Sequence, residues 1–146
     1  SVRVLVDGAT GVASAVSGGA ITITTPTNGG GEIHAGLSYT SKIKTMRIEA
    51  GSQQETSQSK LKRIHKTFIR LFESVRMNVG NEDTQDEFDV SDPADNANKP
   101  IPLRSIDKEI TMPSLWNRDG YIVISEDDPL PLNILAIIVY LNTEDA

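Results

Sequence analysis

The stretch WNRDGYIVISEDDPLPLNILAIIVYL, residues 116–141, is the part of the sequence that decides the fold. Asp119 and Gly120 form a turn dipeptide between extended segments, which predicts a hairpin because glycine adopts a positive φ without steric cost. The run 121–124 that follows is rich in β-branched residues and is typical of a strand. Trp116, the single tryptophan of the chain, is predicted to anchor the core or an interface.

Two prolines and an apolar run complete this stretch. Pro129 and Pro131 have a fixed φ and are predicted to form a corner. Residues 134–141 are all apolar, but they are far fewer than the ~20 residues that cross a bilayer as a helix. They therefore predict a central strand that is buried on both faces. If that strand is buried, replacing Ile137 or Ile138 with alanine should cost about 2–4 kcal/mol.

The overall size and composition are those of an ordinary globular protein. The chain has 146 residues, enough for one domain with a hydrophobic core. It contains no cysteine, which excludes disulfides and thiolate metal sites. Neither a signal peptide nor a membrane span is recognisable. Because the sequence begins inside a strand-like run, we expect a fragment of a longer protein. Residues 1–31 would form a small leading β-hairpin segment and residues 32–146 the main β domain, or the two would be continuous.

The net charge of −6 is distributed in blocks. Residues 60–76 carry six basic residues and one acid, whereas residues 81–98 carry seven acids and no Lys or Arg. The acidic segment is predicted to be a loop, because it is too polar to offset the entropy lost on ordering. Lys62 and Arg63 lie in the basic block and are predicted to occupy a solvated strand edge or a subunit contact.

Short extended segments account for most of the remaining chain. They are predicted at 2–7, 21–24, 32–39, 42–49 and 101–112. Together they indicate an all-β fold, an antiparallel β-sandwich or barrel with long loops and few or no helices. The segment 61–79 is ambiguous, because its apolar residues recur at helical spacing while parts of it alternate as in a strand. Periodicity alone favours a helix there.

No pattern in the sequence predicts a catalytic, cofactor or metal site. The glycine-rich opening imitates a dinucleotide-binding turn, but the next strand-like run leaves no room for the required helix. His34 and His65 have no partners at metal-ligand spacing, and the acidic segment lacks the spacing of a calcium loop. Asp127 and Asp128 are adjacent and should point to opposite faces of an extended chain, which argues against a paired-carboxylate role.

Several short motifs occur in an order that resembles a bacteriophage family. They lie at 36–40 (GLSYT), 60–64 (KLKRI), 79–80 (VG), 116–120 (WNRDG), 128–132 (DPLPL) and 135–137 (LAI). Over residues 32–141 the chain resembles the C-terminal part of the tail nozzle, or tail tubular protein, of short-tailed bacteriophages. It departs from the family pattern at Ser38, where proline is expected, and in the longer and more charged acidic segment.

The resemblance implies a β-rich structural protein without catalysis, and on that ground we assign 61–79 to strands. It also implies copies that close into a ring, typically hexameric, through which DNA leaves the particle in contact with other tail proteins. The expected location is the virion, after expression in the cytoplasm of the bacterial host. The candidate structural and interface residues are Trp116, Asp119, Gly120, Pro129, Pro131, Lys62 and Arg63.

The alternative is a carbohydrate- or host-surface-binding β-sandwich module of a phage tail. Such a module would need aromatic platforms, and aromatic residues make up 5% of the chain. An enzyme fragment, such as a wall-degrading module, would need a polar constellation that the sequence does not offer.

Overall fold

A computed structural model describes residues 2–6, 9–10, 15–23, 32–49, 56–90, 102–112 and 116–144. Throughout these ranges the chain forms strands and turns without any helix, and the strands pair in antiparallel fashion. The predicted all-β, antiparallel fold is therefore confirmed, whereas the choice between a sandwich and a barrel stays a prediction. In the described part of the chain, no helix is present that could cross a membrane.

Ten strands follow one another along the described residues. They are β1 (Val2–Val6), β2 (Ala9–Thr10), β3 (Ile33–Leu37), β4 (Ser41–Lys44), β5 (Leu61–Leu71), β6 (Arg76–Gly80), β7 (Gln85–Asp89), β8 (Asp107–Thr111), β9 (Val123–Glu126) and β10 (Ile134–Glu144). Hydrogen bonds join them into three sheets, with the strand orders β2-β1-β3, β10-β5-β8 and β4-β9-β6-β7.

Strand β5 shows why the segment 61–79 was ambiguous in the sequence. The register against β10 pairs Lys66 with Tyr140 and Ile64 with Leu141, so His65 is an extra residue on β5. One extra residue exchanges the two faces of a strand. The buried side chains therefore have even numbers before the bulge and odd numbers after it, which disturbs the simple alternation. The strand assignment of this segment is confirmed.

The prediction that 134–141 forms a central strand buried on both faces is wrong. These residues lie in β10, which occupies an edge of its sheet, and β5 is the central strand. No residue of β10 is fully buried, and Ile138 on its outer face is 41% exposed. An uninterrupted apolar run indicates extended structure, but the strands beside it determine how deeply it is buried.

The hydrophobic core draws on the β10-β5-β8 and β4-β9-β6-β7 sheets. Its fully buried members come from β5, β6, β8, β9 and the residues next to them: Ile64, Ile69, Leu71, Met77, Val79, Val90, Ile110, Met112, Ile122 and Ile124. Side chains of β10 are partly buried and pack against this cluster. The best-shielded part of the 116–141 stretch is thus the β9 region and not the long apolar run.

The acidic segment 81–98 is not entirely a loop as predicted. Residues Gln85–Asp89 form β7, which pairs with β6 along its whole length. Phe88 explains this, because it lies opposite Met77 in the register and packs against the core, while the acids beside it stay exposed. Phe88 is thus the apolar anchor of an otherwise polar strand, which is also held by its backbone pairing with β6. Residues 91–98 lie outside the described part of the chain.

The leading segment differs in part from the prediction. Strand β1 pairs with β3, so residues 2–6 are joined to residues 33–37 on the other side of the predicted boundary. The division into 1–31 and 32–146 itself stays a prediction.

The strand predicted at 21–24 is wrong for residues 21–23, which form no strand, and Thr24 lies outside the described residues. The strand predicted at 42–49 ends at Lys44.

Candidate functional site

A cavity of about 450 Å³ lies where β5, β6 and β7 meet the end of β8 and the 116–121 turn. We call it the first cavity. Its wall contains the aromatic side chains of Phe88, Trp116 and Tyr121. The volume falls within the ~300–1,000 Å³ that is usual for small-molecule sites. Polar residues share the wall, namely Asn81, Thr84, Asp86, Thr111 and Asn117.

Lys62 is the least expected residue in this wall. Its side chain is 1% exposed, and its Nζ atom has no hydrogen-bond partner among the described residues. The prediction that it lies on a solvated strand edge is therefore wrong. Strand β5 is the central strand of its sheet. Residues two apart on a strand share a face, so Lys62 lies on the same core-facing side as the buried Ile64. This two-residue spacing is visible in the sequence and could have revealed that Lys62 is buried.

The 116–120 segment holds Lys62 through its backbone. The N–H of Lys62 donates to the carbonyl oxygen of Asn117 over 2.7 Å, and the N–H of Asn117 donates to the carbonyl oxygen of Lys62 over 2.9 Å. The Asn117 side chain then closes a turn, because its Oδ1 accepts from the N–H groups of Asp119 and Gly120 at 3.1 and 2.8 Å. This side-chain turn presets the path of the chain into β9.

Gly120 adopts the positive φ that the sequence predicted, with a value of 53°. A Cβ added there would lie 2.8 Å from Cδ of Lys62, so glycine also makes room for the lysine stem. The predicted hairpin is wrong, however. Asn117 pairs with β5, whereas β9 after the turn pairs with β4 and β6. The turn therefore leads from one sheet to another.

The other candidate residues occupy different places. Trp116 is 39% exposed at the first cavity and lies outside the core cluster, so its role as an interface anchor stays a prediction. Asp119 forms a surface ion pair with Arg47 over 2.7 Å. Arg63 is exposed on the opposite face of β5 from Lys62. The structure thus brings Trp116, Gly120 and Lys62 together.

Pro129 and Pro131 line a second cavity of about 570 Å³. Its wall also contains Glu126 and Asp128 from the chain just before the prolines. The carbonyl oxygen of Pro131 accepts a hydrogen bond from the N–H of Val75 over 3.2 Å, which ties this segment to the start of β6. That bond is consistent with the corner role predicted for the prolines.

Compared with protein-family models and with curated proteins, the chain matches none. The resemblance to tail nozzle proteins accordingly stays a prediction, and any functional argument has to start from the geometry of the described residues.

An acidic cluster next to the second cavity corrects another expectation. Asp127 and Asp128 do not diverge, since Arg3 contacts both of them, at 2.8 and 2.7 Å. The strand ends at Glu126 and the chain bends, so the alternation of a strand no longer applies. Arg76 also contacts Asp128 and, at 3.4 Å, Glu126.

The carboxylate oxygens of Glu126, Asp127 and Asp128 lie within 4.8 Å of one another, a spacing that could hold a metal ion. The two guanidinium groups of Arg3 and Arg76 already pair with these carboxylates, and their charge would oppose a divalent cation. Burial raises the pKa of Glu126, although the nearby Arg76 limits the rise. The cluster therefore acts as an ion-pair network between β1, β6 and the end of β9.

Proposed function

We propose that this chain is a non-catalytic structural module that associates with copies of itself in a bacteriophage tail nozzle. Within the virion it would form part of the ring through which DNA passes, in contact with other tail proteins. Two lines of argument support the proposal. One is the ordered set of motifs that resembles the nozzle family, and the other is the exposed edge of the β10-β5-β8 sheet.

The β10 edge is the observation that carries the proposal. Strand β10 has β5 on one side and no strand on the other among the described residues. Its core-facing side chains, including Ile137 and Val139, are only partly buried. On the outer face Ile138 and Tyr140 are 41% and 49% exposed. Long apolar edge strands are normally protected because they pair with other chains, so a neighbouring copy would complete the burial of this one.

A ring also needs a second, different surface on each subunit, because head-to-tail contacts join unlike patches. The chain has exposed apolar side chains on and near β3 and β4, among them Leu37, Tyr39 and Met46. We call these residues the β3–β4 surface. A head-to-tail contact between the β10 edge of one copy and the β3–β4 surface of the next would cover both.

The test uses two surface variants, Ile138→Lys on the β10 edge and Leu37→Lys on the β3–β4 surface. Size-exclusion chromatography with light scattering, over a range of concentrations, should show association of the unchanged chain. Each variant alone should be monomeric, because a lysine would be desolvated in the contact. An equal mixture of the two variants should form dimers, since one intact pair of surfaces remains.

Leu103→Lys is the matched control, because Leu103 is also exposed and apolar but belongs to neither surface. It should associate like the unchanged chain. A chain that stays monomeric at every concentration would contradict the proposal. Association of Leu37→Lys to the same extent as the unchanged chain would contradict the head-to-tail arrangement, because a two-fold contact between β10 edges would be unaffected.

Carbohydrate binding is the second candidate function, and the first cavity is the observation that favours it. Trp116 and Tyr121 supply aromatic surface, and Asn81, Thr84 and Asn117 supply amide and hydroxyl groups. Concave sites that combine apolar walls with a few fixed polar groups are the usual form of a small-ligand site. Binding of host surface polysaccharide to the immobilised chain would test it.

A further inference from the structure

The buried ammonium group of Lys62 needs a partner that the described residues do not supply. An isolated charge inside a protein costs several kcal/mol unless it is paired. The side chain is 1% exposed, and Nζ has no hydrogen-bond partner in the described part of the chain. Lys62 also lines the first cavity. Nζ itself is shielded from solvent, so a turn of the flexible lysine side chain would bring it to the cavity wall, where a bound anionic group would supply the missing partner.

We infer that the first cavity binds a sugar bearing one carboxylate, with the carboxylate paired to Lys62. The charge of the wall limits the choice of anion. Lys62 and Asp86 are the two charged side chains among the described wall residues. One lysine neutralises one negative charge, and Asp86 opposes a second. A monoanionic carboxylate therefore fits better than a phosphate dianion.

The remainder of the wall suits the hydroxyl groups and the apolar face of a sugar ring. Trp116 is partly exposed and offers a flat aromatic surface. Tyr121, whose ring lies 4.1 Å from the ammonium nitrogen of Lys44, is the other aromatic residue at this end of the wall. Asp86 is exposed and can accept hydrogen bonds from ring hydroxyls. Thr84 and Thr111 can donate or accept.

Two asparagines in the wall are already oriented. Oδ1 of Asn81 accepts from the N–H groups of Asp83 and Thr84 at 2.9 and 2.6 Å. Oδ1 of Asn117 accepts from Asp119 and Gly120 in the same manner. Each side chain is therefore held in place by its amide oxygen, and its amide nitrogen is the group that it could donate to a ligand. A site whose donors are fixed beforehand loses less entropy when it binds a ligand.

This inference rests on the second candidate function and is independent of self-association. None of the described residues in the wall of the first cavity belongs to β10 or to the β3–β4 surface. A ring-forming chain could carry the site on each copy, and a monomeric chain could carry it alone.

The test is calorimetric titration of the full chain with D-glucuronate, with D-glucose as the neutral match and acetate as the carboxylate without a sugar. We expect glucuronate to bind at least tenfold more tightly than glucose, and acetate to bind more weakly than glucuronate. Lys62→Met keeps the aliphatic stem and removes the charge. It should lower glucuronate affinity at least tenfold, to the level of glucose.

Lys62→Met should also raise the unfolding temperature of the ligand-free chain, because the variant no longer buries an unpaired charge. Arg63→Met is the matched control. It removes one positive charge from the neighbouring residue on the exposed face of β5 and should change neither measurement. Should Lys62→Met fail to fold, Trp116→Ala at the partly exposed rim provides the second test and should weaken glucuronate binding.

Equal affinity for glucuronate and glucose would overturn the inference and leave the carbohydrate-binding function standing. The absence of binding by either sugar would overturn both. Unchanged glucuronate affinity in folded Lys62→Met would likewise contradict the role given to the ammonium group.

Discussion

Strands β9 and β10 both begin with apolar residues and end in a glutamate, Glu126 and Glu144, but their surroundings are very different. All four residues of β9 are buried, whereas β10 has no fully buried residue. The difference comes from their neighbours, since β9 lies between β4 and β6 and β10 lies at an edge. The amino-acid composition therefore identifies both segments as strands. Their neighbours in the sheets determine which of them contributes fully buried side chains to the core.

The largest expected effect is in the β9 region. Ile124 is 1% exposed and belongs to the core cluster, so Ile124→Ala removes packed atoms and leaves a cavity. We expect a loss of about 2–5 kcal/mol in the free energy of unfolding, measured by urea denaturation. A loss as small as that of Ile138→Ala would break the contrast between the two strands.

The turn that leads into β9 should be the next most sensitive position. Gly120→Ala places a Cβ on a backbone with a φ of 53° and against the stem of Lys62. The left-handed conformation and the displaced lysine together should cost about 1–3 kcal/mol, again by urea denaturation.

Gly36→Ala is the control for that change. Gly36 lies in β3, where no heavy atom is within 4 Å of an added Cβ, so the variant should lose no stability. Equal effects at the two glycines would show that the turn does not constrain the start of β9.

The glutamate at the end of β9, Glu126, should make the stability of the chain depend on pH. Burial raises the pKa of Glu126, so the folded chain takes up this proton more readily than the unfolded chain. Ionised Glu126 therefore costs stability at neutral pH, and the cost disappears as the pH falls through the raised pKa, above the usual value of about 4.3. Glu126→Gln, which never ionises, should gain most over the unchanged chain at neutral pH.

That gain should shrink as the pH is lowered into the weakly acidic range, as measured by urea denaturation at a series of pH values. Arg76, Arg3, Asp127 and Asp128 are the charged groups around this site and are unchanged in the variant. A difference between Glu126→Gln and the unchanged chain that stays constant with pH would contradict the effect of burial.

The smallest effect on stability should be on β10 itself. Because Ile138 is 41% exposed, Ile138→Ala should change the free energy of unfolding by about 1 kcal/mol or less. This replaces the 2–4 kcal/mol expected for a doubly buried strand. Dilute protein should be used for the urea measurement, so that self-association through the β10 edge does not contribute. A loss above 2 kcal/mol would indicate that β10 is buried more deeply than its edge position implies.

Much of the fold could be predicted, and less of the candidate site. The sequence predicts extended segments where β3, β8 and β10 lie, the last of them from its uninterrupted apolar run, and turn chemistry predicts the positive φ of Gly120. The acidic residues of β7 predict a loop, although Phe88 among them packs against the core and holds the segment as a strand. The helical spacing of 61–79 was misleading because the bulge at His65 exchanges the faces of β5. The charge of Lys62 predicts a solvated strand edge or a subunit contact, whereas its position two residues before the buried Ile64 indicates that it faces the core.

By itself, the sequence determined that much of the chain is extended and that Gly120 can adopt a positive φ, because both follow from local backbone sterics and side-chain patterning. The tertiary structure alone decided which strand is central, which carboxylates meet Arg3, and that Lys62 lies beside a cavity. These depend on pairing between residues that are far apart in the chain, such as Arg3 with Asp127 or β5 with β10. Local periodicity specifies which side chains share a face and leaves open what lies against that face.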